Sequence, residues 1–193
     1  LLPVYSSVRS ERADFKRTHR FSIHGLGLIG VMLAGVSVAV GVELVTLVYG
    51  DGYTPGFWLV ASIGVMQGMR ILRVAPNLAS LAEGDTTNIM FANLARAFAL
   101  PAALWFAVRG APLHAVALCG VAGEILALGV MIGRLWWRGR LRPTLDARVF
   151  ATASLSFGVV LAGALALRAE ASSAVATLGS FLLLSAVVVA LIV

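Results

Sequence analysis

Three arginines stand where an anion could be held. Gln67, Arg70 and Arg73 recur every third residue in one apolar run, and Asn93 and Arg96 do the same in the next. Residues three apart share a helix face. Gln67, Arg70 and Arg73 thus form a polar stripe, which Asn77 and Ser80 prolong. A guanidinium keeps its charge and makes paired hydrogen bonds to phosphate oxygens. Arg70, Arg73 and Arg96 on adjacent helices are therefore candidates to hold an anionic headgroup in a water-filled cavity, with Gln67 and Asn77 as polar neighbours. A second reading stays open for each. If the bilayer ends near Arg73, then Arg70 and Arg73 extend their stems to the interface as anchors. Arg96 would then pair with Glu124 as a structural ion pair.

Two acids inside apolar runs have their own alternatives. Glu43, near the end of its run, is a proton or cation site or an interfacial residue. Glu124, in the middle of its run, is an ion-coupling group or a structural charge. Nothing resembles a catalytic centre. There is no H-E-x-x-H, no phosphate-binding P-loop and no G-x-S-x-G. A transferase acting on activated lipids would gather several acids around a divalent cation, whereas Glu43, Asp85 and Glu124 are isolated. Cys119 is the single cysteine, so no internal disulfide or cysteine-rich metal site forms. The expectation is no enzyme, no metal and no cofactor. Gly25, Gly27 and Gly30 spell G-x-G-x-x-G, but within an apolar helical run rather than after a strand. They read as helix-packing residues, not a dinucleotide site.

The elements that carry these residues belong in a membrane. Of 193 residues, 60% are hydrophobic and 12% charged, about half the charged share of a soluble domain. Mean hydropathy is +0.94. Six spans are expected, near 21–49, 55–83, 87–108, 112–137, 149–167 and 173–193. Thr54 is positioned to cap the second, with Pro55 at its first turn. Gly64 with Gly68, and Gly129 with Gly133, read as packing pairs. Pro76 is expected to kink or end its membrane portion, and Pro101 to bend the third span. Glu83-Gly84-Asp85-Thr86-Thr87 reverses the chain between spans two and three.

The fold expected is an all-α polytopic bundle. Residues 1–20 form a cytosolic basic segment, 21–140 four transmembrane helices, and 141–193 two more. The net charge of +6 is concentrated in residues 9–20 and 134–148. Four crossings separate these clusters, so both fall on the cytosolic side by the positive-inside tendency. That charge points to membrane lipids rather than nucleic acid. The chain begins Leu1-Leu2-Pro3 and ends in an apolar run, and is expected to be a portion of a longer membrane protein.

Ala75-Pro76, then Ala82-Glu83-Gly84-Asp85-Thr86, then Asn88, Asn93 and Arg96, followed by Gly120-x-x-Gly123-Glu124, resemble the bacterial O-antigen and polysaccharide flippases. That family lies in the superfamily of the multidrug-extruding MATE transporters. The resemblance covers residues 1 to about 140, and the last two spans by hydropathy alone. It implies one of two pseudo-symmetric helical bundles, alternating access between them, and the bacterial inner membrane. It also implies translocation of a polyprenyl-diphosphate-linked oligosaccharide for surface polysaccharide or lipopolysaccharide. The cationic role in the cavity would fall on Arg70, Arg73 and Arg96. The implied partners are the lipid-linked oligosaccharide, membrane lipids, an N-terminal bundle not in this sequence and the polysaccharide polymerase machinery. The rival readings are a MATE-type cation-coupled drug exporter and a non-transporting membrane assembly subunit.

Overall fold

Hydrocarbon offers no partner to a backbone amide, so long apolar runs satisfy their own backbone as helices. The structure is a computed structural model that describes residues 12–53 and 55–138. Every regular element among these residues is an α-helix. We label them α1 (Arg12–Tyr49), α2 (Phe57–Ala82), α3 (Thr86–Ala97), α4 (Ala99–Val108) and α5 (Leu113–Trp137). Four stretches are long and apolar enough to cross a bilayer: Arg17–Tyr49, Phe57–Ala82, Thr86–Val108 and Leu113–Trp137. Large apolar side chains such as Leu47, Phe98, Leu104 and Trp137 point outward, as a hydrocarbon solvent permits. The expected spans at 149–167 and 173–193, the basic residues after Arg138, the segment before Arg12 and the Thr54 cap lie outside the described residues.

Several local expectations are corrected. α1 takes in Arg12–Tyr49, so part of the basic segment is helical, and its apolar stretch Arg17–Tyr49 starts a turn before the expected Phe21. It bends at Val40, whose φ of −135° and ψ of 15° interrupt the helix. α2 begins at Phe57 with Gly56 as its N-cap, which leaves Pro55 ahead of the helix rather than in its first turn. Pro76 does not end the helix. α2 passes through it to Ala82, and Ser80 Oγ donates to the Pro76 carbonyl at 2.9 Å. Pro101 acts more strongly. It cannot donate to the Ala97 carbonyl, and its ring crowds that position. The third span divides there into α3 and α4, with Phe98 between them.

Close approach holds α1 against α2. A Cβ built on Gly68 would lie 2.5 Å from the Gly30 carbonyl oxygen, and one on Gly30 would lie 2.5 Å from that of Gly68. A Cβ on Gly64 would collide with Ser37. The two backbones meet because these residues have no side chains. Val31, Ala34, Val38 and Ala61 are buried around the crossing. The Gly129 and Gly133 pair does no such work among the described residues, where a Cβ on either meets nothing within 4 Å.

α5 packs against α2, α3 and α4. Ile23 of α1, Leu72 and Ala75 of α2, and Leu128 and Ile132 of α5 share one apolar cluster, with Trp136 against it. The start of α1, the end of α2 and the end of α5 therefore lie at the same end of the bundle. Arg17, Arg134 and Arg138 belong to that end.

Candidate functional site

α5 carries one acid into the middle of the bundle. Glu124 is 1% exposed, and three arginines reach it. Arg70 Nε donates to Glu124 Oε1 at 2.8 Å. Arg96 Nη1 donates to the same oxygen at 3.4 Å. Arg73 Nη2 lies 3.5 Å from Oε2. A buried carboxylate with no partner would be strongly unfavourable, and guanidiniums from α2 and α3 remove that penalty.

Local structure explains the convergence. Arg70 and Arg73 lie three residues apart and so project from one face of α2. Arg96 lies in the last turn of α3, just before the break at Phe98. Gly123 precedes Glu124, and a Cβ there would approach Ala99 Cβ at 2.8 Å and the Arg96 carbonyl at 3.1 Å. The missing side chain lets the α3–α4 junction sit on α5 close enough for Arg96 to reach the acid. Gly120, one turn earlier, likewise makes room for Met66 Sδ, 2.8 Å from where its Cβ would be.

The arginines differ in exposure. The Arg73 side chain is 14% exposed, while those of Arg70 and Arg96 are 43% and 41% exposed. Arg70 and Arg96 open onto a cavity of about 460 Å³ between α2, α3, α4 and α5, whose wall also includes Asn93, Glu124, Leu100 and Val116. Arg73 sits behind that wall, and its Nη1 has no hydrogen-bond partner. Three guanidiniums against one carboxylate leave a surplus of two positive charges. The two cations on the cavity wall are Arg70 and Arg96.

The remaining candidates fall in different places. Gln67 joins the cluster, its Oε1 accepting from Arg70 Nη1 at 3.4 Å. Asn77 does not line the cavity, and its Oδ1 is buried without a partner. Glu43 is exposed near the end of α1, far along the helix from this cluster. Ser80 belongs to a separate buried link. Asn88 Nδ2 donates to Ser80 Oγ at 2.8 Å and to the Met131 carbonyl at 3.2 Å, joining α2, α3 and α5.

Sequence reasoning did not find this link, nor a second ion pair at the basic end of the bundle. Arg138, just past α5, pairs with Asp85, the N-cap of α3. The signal for Asp85 was present, because an acid followed by threonines after a glycine marks a helix start. Gly84, at φ +74°, supplies the left-handed turn before it. Asp85 Oδ1 accepts from Thr87 Oγ1 at 2.6 Å and from the Asn88 amide at 3.1 Å. Burial pushes the Asp85 carboxyl up, but those two bonds and the Arg138 guanidinium outweigh it and hold it below its usual value of 3.8. A depressed carboxyl stabilises the fold above its unfolded pKa, and that contribution is lost as pH falls through the folded pKa. The stability difference between wild type and Asp85→Asn should therefore be constant above about pH 5 and shrink below about pH 4. Thermal unfolding in detergent across that range measures it, and a difference that grows on acidification contradicts the assignment.

Compared with family models, curated proteins and solved structures, the chain matches none.

Proposed function

We propose that the protein binds an anionic, phosphate-bearing lipid within the membrane and serves as one bundle of a flippase for polyprenyl-diphosphate-linked oligosaccharides. One observation carries this reading. Arg70 and Arg96 face a cavity among apolar helices with a surplus of positive charge beside them. Cations at that depth are costly unless protein, water or an anion answers them.

Depth supports the cavity over the anchor. At ~1.5 Å rise per residue, Arg70 lies roughly 20 Å along α2 from Phe57, and Glu124 roughly 16 Å along α5 from Leu113. Both distances fall near the middle of a hydrocarbon core about 30 Å thick. α2 also continues past Arg73 through Val74, Ala75, Leu78, Ala79 and Leu81, where an interfacial anchor would have left the apolar phase. The resemblance of Asp85, Asn88, Asn93 and Arg96 to the polysaccharide flippases supplies the substrate class. On this reading the protein has six spans, sits in the bacterial inner membrane with both basic clusters in the cytosol, and faces a second bundle across its cavity. Partners are the lipid-linked oligosaccharide and the polymerase that consumes it. A cation-coupled drug exporter fits less well, because Glu124, the acid on the cavity wall, is already held by arginines.

The test is export of surface polysaccharide by cells that lack their own flippase and express the full-length protein. Arg70→Ala should sharply reduce export at normal protein levels. A hydrogen bond to a charged group is worth roughly 1.5–3 kcal/mol, or about ten- to a hundredfold in affinity. Arg70→Lys should restore export only partly, since lysine lacks the planar fork. Full export by well-expressed Arg70→Ala would overturn the proposal.

A further inference from the structure

We infer that Glu124 and Arg73 together set the charge the cavity accepts, selecting a ligand group with two negative charges over one with a single charge. The inference rests on the binding site proposed above and concerns how that site discriminates.

The geometry separates four charges into two layers. Arg73 and Glu124 form the inner layer. Glu124 is 1% exposed and Arg73 14% exposed, with 3.5 Å between Nη2 and Oε2. Their charges are opposite, but the hydrogen bonds of Glu124, which also borders the cavity, go to the outer arginines. Arg70 and Arg96 form the outer layer, more than two-fifths exposed and on the cavity wall. Both contact the same oxygen, Glu124 Oε1. That shared contact holds two like charges side by side, which their mutual repulsion would otherwise oppose. The outcome is a pair of guanidiniums held together on the wall of a cluster whose surplus is two positive charges. A diphosphate diester carries two negative charges and several acceptor oxygens, and can meet both forks at once. A phosphodiester carries one charge and leaves one guanidinium uncompensated. Among the described residues, no other acid lines this cavity.

Changing Arg73 or Glu124 should therefore shift selectivity while both wall arginines remain, Arg73→Gln leaving their contacts to Glu124 in place and Glu124→Gln replacing a carboxylate oxygen with an amide one. One elementary charge at about 10 Å, with an effective dielectric near 20, changes the affinity ratio between singly and doubly charged ligands roughly tenfold. Arg73→Gln leaves Glu124 paired and lowers the surplus to one. Glu124→Gln raises it to three. The double variant, Arg73→Gln with Glu124→Gln, removes the inner pair and returns it to two.

The experiment measures binding of two short-chain probes to the detergent-solubilised full-length protein: a prenyl diphosphosugar and the matching prenyl monophosphosugar. Wild type should prefer the diphosphosugar. That preference should fall about tenfold in Arg73→Gln, rise about tenfold in Glu124→Gln and return to the wild-type ratio in the double variant. If Glu124→Gln does not fold, Arg73→Gln and the double variant decide the matter, since neither leaves an unpaired buried charge. Arg70-dependent binding with one constant ratio across the variants would overturn the charge inference and leave the binding site standing. Failure of wild type to bind either probe, or binding that ignores Arg70→Ala, would overturn both.

Discussion

Glu124→Ala should lower the stability of the protein by about 3–5 kcal/mol, the range seen when one partner of a buried ion pair is removed. The loss comes chiefly from Arg73. Its side chain is 14% exposed, so without the carboxylate its charge stays among apolar helices with no answer. Arg70 and Arg96 are more than two-fifths exposed and can turn toward the cavity, so each contributes less. This division has a consequence that thermal or denaturant unfolding in detergent can check. Adding Arg73→Ala to Glu124→Ala should recover much of the lost stability, because the stranded charge leaves with it. Adding Arg96→Ala instead should recover little. Equal recovery by either would mean that the three arginines share the acid evenly and that the two-layer arrangement is wrong.

The second large effect belongs to the crossing of α1 and α2. Gly68→Leu should destabilise the pair by on the order of 3 kcal/mol, at the upper end of overpacking penalties. The obstacle is backbone. A Cβ at residue 68 would stand 2.5 Å from the Gly30 carbonyl and 3.1 Å from Ala34 Cβ, and no side-chain rotation relieves the first contact. The helices must move apart, which exposes Val31, Ala34, Val38 and Ala61. Gly129→Leu makes the control. It adds the same side chain to a membrane helix where nothing among the described residues lies within 4 Å, and should leave stability unchanged or raise it by up to about 1 kcal/mol. Comparable destabilisation of both variants would show that added bulk on either helix, not the crossing, governs the loss, since leucine is the better helix former at both positions.

These two glycine pairs show what the sequence could and could not reveal. Gly64 with Gly68 and Gly129 with Gly133 have the same spacing, each in a helix long and apolar enough to span a bilayer. One pair faces another backbone and the other faces outward. Spacing gives the face of a helix, but which neighbour that face meets depends on rotation about the helix axis, which packing decides. The four long helices were legible for a simpler reason, since length and hydropathy are local properties. The reversal at Gly84 was legible because glycine and an N-capping acid act over a few residues.

The arginine cluster lies between these cases. The stripe of Gln67, Arg70 and Arg73 followed from a period of three. That Glu124 answers Arg70 and Arg73 as well as Arg96 did not, because the acid stands 54 residues from Arg70 in the chain. The sequence supported Arg96–Glu124 as one alternative, and the structure joins all three. Proline was legible in part, since Pro101 was expected to bend its span and Pro76 to kink or end its own. α2 stays continuous through Pro76, whereas the third span breaks at Phe98, three residues before Pro101. The buried side of α2 holds its turn together through packing and the Ser80 bond, whereas α4 has no buried residues to do so.

That separation of 54 residues also bears on how the protein is made. A ribosome extends a chain by about 5–20 residues each second, so α2 emerges roughly 3–10 s before the carboxylate that neutralises it. During that interval Arg70 and Arg73 have no acid from α5. Insertion scales charge each arginine at a helix centre about 2.5–3.5 kcal/mol, enough to hold α2 back from lipid until its counter-ion arrives. α1 supplies the means of waiting, since its glycine-lined face can cradle α2 before α5 exists. Membrane integration of the first half of this bundle should thus be a delayed event, completed when Glu124 enters and not when α2 leaves the ribosome.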